Sequence, residues 1–175
     1  MKVSILTALV AFGLLCVPVK AQNQEYSSKG QNFSITFPGQ PEIENKDHIF
    51  IADSFSDDGV VFVSVMSSDT RDEGDARDNL NDYVKQATSV TDSPVSNCRA
   101  STWSGDPTEF CDIVITRIDG KKAVGYEWMC MHDGYIYMVS TTTTATTPDG
   151  LMFYINSFRF LQAITPEPPD NRPVA

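Results

Sequence analysis

The sequence predicts an α+β domain, an antiparallel sheet with helices against both of its faces. Three observations carry this. Residues 108–145, TEFCDIVITRIDGKKAVGYEWMCMHDGYIYMVSTTTTA, are cut by two Asp-Gly pairs, Asp119-Gly120 and Asp133-Gly134, into three runs rich in β-branched and aromatic residues. Asp-Gly between such runs marks a hairpin, because a type I′ turn needs two residues that tolerate positive φ. A segment from Ala76 to Ser89 places Ala76, Leu80, Tyr83, Val84 and Ala87 at spacings of three and four, the pattern of a helix with one apolar face. Finally, both faces of the three-strand meander are apolar. One would carry Ile113, Ile115, Val124, Tyr126, Trp128, Tyr137 and Val139, the other Phe110, Val114, Met129, Met131, Ile136 and Met138. A sheet that is apolar on both faces has to be covered on both.

The 175 residues suffice for one domain and a leader. Residues 1–21, MKVSILTALVAFGLLCVPVKA, place Lys2 before an apolar run from Val3 to Val17, then Val19 and Ala21 at the −3 and −1 positions of a cleavage site. This pattern predicts a secretory signal peptide cut before Gln22. The apolar run is short for a membrane span, so no transmembrane segment is expected after cleavage. Cys16 offers a lipoprotein alternative, against which Leu15 stands where a lipobox has a small residue. Export implies a secreted or periplasmic protein in an oxidising compartment. The leader holds Lys2 and Lys20, so 11 basic and 23 acidic side chains remain, a net charge of −12 against −10 for the whole chain. That balance opposes a nucleic-acid partner, which requires a basic face.

Residues 22–32 read as a polar arm. Phe33 to Phe37 alternates strictly, a strand with one buried face, and Pro38-Gly39-Gln40-Pro41 ends it. His48 to Phe55 and Val60 to Ser67 form a strand pair around Ser56-Asp57-Asp58-Gly59. The acidic stretch from Asp69 to Asp82 lacks the spacing of a calcium loop and reads as carboxylates near a helix N-terminus, where the helix dipole favours them. Val95 to Trp103 and Thr108 to Arg117 form a hairpin around Ser104-Gly105-Asp106-Pro107, and the meander follows. Thr147 and Pro148 suit the N-cap and first position of a short helix with Leu151, Met152, Ile155 and Phe158 on its apolar side. Phe158 to Leu161 alternates as an edge strand, and residues 163–175, rich in proline, predict a disordered tail.

Three cysteines remain after cleavage: Cys98, Cys111 and Cys130. If Thr102 faces Pro107 across the first hairpin, Cys98 faces Cys111. If Asp119-Gly120 is a two-residue loop, Cys111 faces Trp128 and Asp112 faces Glu127, with Cys130 a diagonal neighbour roughly 7–8 Å away, too far for an unstrained bridge. A Cys98–Cys111 disulfide and a buried free thiol at Cys130 are therefore expected. The alternative use of the same side chains is a zinc site or thiol-redox centre built on Cys130 and His132, which share a strand face, with Cys98 and Cys111 as further thiolates. The usual C-x2–4-C spacing is absent. The chain has no G-x-S-x-G, H-E-x-x-H or P-loop, so no catalytic residues are assigned, and no cofactor or bound metal is expected.

The opening phrase FSITFPGQPE, the order of strand, strand pair, helix, meander, short helix and final strand, and the closing FRFL together resemble the Mog1/PsbP-like superfamily over residues 33–162. The resemblance implies a helix–sheet sandwich and a role in binding rather than catalysis, and it brings no catalytic motif. The expected function is a non-catalytic binding or assembly module of the cell envelope. Its partner would be an envelope protein or a small apolar ligand, and Met129, Met131, Ile136 and Met138 offer a candidate binding face, since methionine adapts to varied partners.

Overall fold

The computed structural model describes residues 23–46, 48–70, 75–89, 94–117 and 119–161. The expected leader, Cys16 within it and the proline-rich tail lie outside these residues.

The main sheet has seven antiparallel strands: β3 (Glu42–Lys46), β4 (Ile49–Phe55), β5 (Val61–Asp69), β6 (Val95–Trp103), β7 (Asp106–Thr116), β8 (Lys122–His132) and β9 (Tyr135–Thr143). Their order across the sheet is β3-β4-β5-β9-β8-β7-β6. The meander of the last four strands thus joins the β4–β5 hairpin through β9. A second, three-stranded antiparallel sheet combines β1 (Gln24–Ser28), β2 (Phe33–Phe37) and β10 (Arg159–Phe160), with β2 in the middle. Helices α1 (Ala76–Ser89) and α2 (Leu151–Ser157) complete the described fold. The chain is an α+β sandwich, as its pattern predicts.

Each face of the main sheet has its own core. On one side Phe33, Ile35 and Phe37 of β2 and Ile155 and Phe158 at α2 close over Phe50, Ala52, Val63, Val65, Tyr137 and Val139. Aromatic packing dominates here: the Phe33 ring stacks on Phe158 at 5.4 Å and meets Phe50 edge-on at 5.7 Å. Such pairs add roughly 0.5–1.5 kcal/mol beyond their area burial. On the other side Leu80 of α1 packs on Val95, Cys111, Met129, Met131 and Ile136. Asp75 caps α1, its Oδ1 accepting from the main-chain N–H of Arg77 at 2.9 Å and of Asp78 at 3.2 Å. That satisfies donors a helix start leaves free and accounts for at least this part of the acidic stretch.

Four local expectations are revised. The polar arm contains β1, which pairs along the whole of β2, and Tyr26 packs against Phe33 and Phe37 at 6.2 and 6.0 Å. One aromatic on a polar strand is enough to anchor it. Glu42 to Lys46, unassigned by pattern because every side chain is exposed, is the edge strand β3. Helix α2 starts later than Thr147: Gly150, at φ 83°, precedes its first turn, and Thr147 and Pro148 belong to the turn before it. Lastly, the Asp119-Gly120 connection is a three-residue loop. The Arg117 N–H donates to Lys121 O and the Gly120 N–H to Arg117 O, both at 2.9 Å, with Gly120 at φ 79°. A three-residue loop with glycine in the left-handed region is the other connection that favours Asp-Gly. It moves the β7–β8 register by one residue, so Cys111 faces Glu127 and Asp112 faces Tyr126. The Asp112–Glu127 carboxylate pair is therefore not formed. Phe110 and Val114 thus face Trp128 and Val124 on the β2 side, not the methionine face, and Ile113 and Ile115 turn to the α1 side with Cys111 and Met129.

Candidate functional site

The structure separates the residues singled out in the sequence. Cys98 and Cys111 form a disulfide with their Cα atoms 4.0 Å apart. The β6–β7 turn is Ser104-Gly105, with Thr102 opposite Pro107, and Asn97 at φ 51° lies in the bulge beyond Cys98. Alternation along β7 and β8 then sends Cys111 to the α1 side of the sheet and Cys130 and His132 to the β2 side. The four-residue zinc set is thus divided by the sheet and by the disulfide. Among the described residues no group of three or more histidine, cysteine and acidic side chains is placed to hold a metal.

Cys130 is fully buried, and burial pushes its thiol up to about 12, so the nucleophilic thiolate is scarce at neutral pH. His132 is committed elsewhere. Its Nδ1 lies 2.8 Å from Asp106 Oδ2, and its ring stacks on Phe160 at 3.8 Å. This histidine fastens β8 to the small sheet. The proposed methionine face is mostly core: Met129, Met131 and Ile136 lie beneath α1 with exposures of 0, 4 and 4 %, and only Met138 is half-buried. The helix predicted at 76–89 is what covers them, so they cannot serve as an open groove.

Two carboxylates are also enclosed on the α1 side. Glu109 is held by Arg77 Nη1 at 3.3 Å. Glu127 accepts from the Ser140 hydroxyl at 2.9 Å. Burial raises both above the ordinary carboxyl range; Arg77 offsets part of the effect at Glu109, and the Ser140 hydrogen bond part of it at Glu127. Each faces the interior rather than a cleft.

The accessible concavity lies further along the α1 side, where that helix no longer covers the sheet. There the row Ile113, Gly125, Thr142, Phe62 and Phe55 crosses five strands. Gly125 offers no side chain here, and among the described residues none of α1 lines the hollow. Its volume is 540 Å3, and its lining includes Phe55, Phe62, Ile115, Ala123, Thr142 and Arg117. Small-molecule sites typically measure about 300–1,000 Å3 and combine an apolar lining with a few placed polar groups. The Phe55 and Phe62 rings form one wall at a centroid distance of 4.6 Å, with Phe55 56 % exposed. Arg117 forms the other wall. Its Nη1 donates to Gly59 O at 3.1 Å, tying the β7–β8 turn to the β4–β5 turn.

Sequence reasoning missed this site. Phe55 and Phe62 read as two ordinary strand residues, and only the β4–β5 register, which pairs them directly, shows them as a unit. The available signal was an aromatic at each end of a turn, on the face that a 14-residue helix is too short to cover. A second hollow of 520 Å3 lies on the β2 side, between α2 and the β6–β7 hairpin, and both tryptophans, Trp103 and Trp128, line it. They meet edge-on at 5.3 Å and pack on Phe158, which makes them part of that core's rim.

No protein-family model matches the chain, and no curated protein matches it. Solved structures do. The solution structure of cyanobacterial PsbP (CyanoP) from Synechocystis is similar with a TM-score of 0.57 at 13 % identity, over 89 % of this chain and 98 % of that one. A crystal structure from Bacteroides thetaiotaomicron is similar with a TM-score of 0.48 at 14 % identity, over 79 % of this chain and 48 % of that one, so this chain spans about half its length. At such identity the likeness is one of fold, and the fold is PsbP-like.

Proposed function

We propose that this chain is an exported, non-catalytic binding module that takes a small apolar molecule into the hollow between Phe55, Phe62 and Arg117. One observation carries the reading: among the described residues Cys130, Glu109 and Glu127 are buried, while the hollow is open and largely apolar. Cys130, Glu109 and Glu127 sit inside the two cores. The hollow presents aromatic rings, aliphatic side chains and threonine hydroxyls. Burying an apolar ligand there gains roughly 25 cal/mol per Å2 removed from water. The Cys98–Cys111 disulfide suits an oxidising compartment, in keeping with the leader read in the sequence. The PsbP-like fold is compatible with a binding role and supplies no ligand by itself.

Titration with an environment-sensitive apolar dye, 8-anilinonaphthalene-1-sulfonate, tests the reading. Ala123→Phe fills the floor of the hollow and Phe55→Asp charges its rim. Both should abolish dye enhancement while leaving the circular dichroism unchanged. Enhancement that survives in both variants rejects the site.

A further inference from the structure

We infer that the ligand of this hollow is an amphipathic carboxylate, its hydrocarbon chain on Phe62 and Ala123 and its head held by Arg117. The inference rests on the binding reading above and adds the chemistry of the head. Among the lining residues Arg117 is the one cation. It stands where β7 ends, and its side chain is 37 % exposed, so the guanidinium reaches solvent at the edge of an apolar surface. Of its five N–H donors, one is taken by Gly59 O at 3.1 Å. The Asp119 carboxylate lies 3.9 Å from Nε, beyond hydrogen-bonding distance, and is itself 44 % exposed. Among the described residues no further partner takes its other donors, which lie in the planar fork that matches a carboxylate.

Charge selects the head further. Arg117 is a local cation in a chain of net charge −10, with Asp119 the acid of the same lining. An anion is drawn to this guanidinium in preference to a surface whose net charge is negative. Asp119 beside the same guanidinium disfavours a doubly charged phosphate and tolerates a single negative charge. A neutral apolar molecule would desolvate part of the guanidinium without adding a partner to Gly59 O and Asp119, which costs free energy. A carboxylate amphipath satisfies the apolar wall and the guanidinium together.

The test is isothermal titration of the purified protein with decanoate and with 1-decanol, both below their aggregation thresholds. The two probes share a chain length and differ in the head. Decanoate should bind at least about tenfold more tightly, since a charge-assisted hydrogen bond contributes about 1.5–3 kcal/mol and 1.4 kcal/mol is tenfold. Arg117→Gln should remove that preference, bringing the two probes to the same affinity. Equal affinity of the two probes for the unaltered protein overturns the carboxylate assignment and leaves the hollow standing as an apolar site. Binding of neither probe overturns both. The comparison on unaltered protein stands even if Arg117→Gln loosens the turns it links.

Discussion

A β-carbon placed on Gly125 would fall well inside van der Waals contact distance of the carbonyl oxygen of Thr141 on the neighbouring strand β9. No real contact is that short, and the obstacle is main chain, so relief requires the two central strands to part. Gly125→Ala should therefore destabilise the protein by about 3 kcal/mol or more, in the range reserved for core overpacking and backbone strain. Denaturant unfolding measures this directly. Gly134→Ala serves as a comparison: it meets no atom within 4 Å and carries only the strain of its φ of 77°. A loss at Gly125 no greater than at Gly134 would show that the sheet adapts there.

Glu127 makes stability depend on pH in a direction opposite to that of a salt-bridged acid. Burial raises its folded-state pKa above the ordinary 4.5. Between the two values the folded state binds more protons than the unfolded state, so stability falls as pH rises through that window and is fully present below it. The groups facing Glu127 are Ser140 and Tyr83, with Glu109 and its partner Arg77 on the adjoining strand and helix. Glu127→Gln should gain on the unaltered protein steadily as pH increases from 4 to 7. A constant difference in Tm across that range would exclude the titration.

The Cys98–Cys111 bridge closes a short loop with a sequence separation of 13. Loop-closure entropy for a ring of that size is worth about 3 kcal/mol. Replacing both cysteines by serine should lower Tm by about 10 °C, and reductant should lower the Tm of the unaltered protein by a similar amount. An unchanged Tm would mean that the β6–β7 turn already constrains the unfolded chain.

Cys130 should resist iodoacetamide at pH 8 in the native protein and react promptly in denaturant. Its burial and its thiol pKa of about 12 both act against the thiolate. Stoichiometric labelling of the native fold would reopen a thiol-redox role for Cys130 and His132.

Where local chemistry decides conformation, the elements were legible. Helix α1 and strand β2 follow from periodicity alone, and the Asp133-Gly134 turn takes positive φ at both residues, 49° and 77°. Asp119-Gly120 reads as a two-residue loop and forms a three-residue one, because Asp-Gly suits both. In a sheet one residue of register exchanges partners along the whole strand. That single ambiguity placed Phe110 on the wrong face and invented an Asp112–Glu127 pair. The Cys98–Cys111 bridge was readable because it lies on the hairpin side of the bulge at Asn97. The hollow was not, because it is defined by where α1 stops covering the sheet and by the meeting of Phe55, Phe62 and Arg117 from two separate turns. Pattern within a segment does not encode such distances between segments.

The small sheet brings Phe160 into register with Phe33 and donates Leu161 N–H to Asn32 O at 3.0 Å. Its middle strand thus waits on residues from the other end of the domain. Every other neighbouring strand pair but β5–β9 is a local hairpin and can form soon after its residues appear; β2–β10 can form only when the domain is essentially all present. Long-range closure of this kind is slow, since its entropy cost precedes its contacts. The β2-side core, with Phe33 and Phe158 stacked at its centre, should consequently be the last part to gain protection against hydrogen exchange during refolding. A chain emerging from its N-terminus would hold that apolar face uncovered until Phe158 arrives, the interval in which it most needs a chaperone.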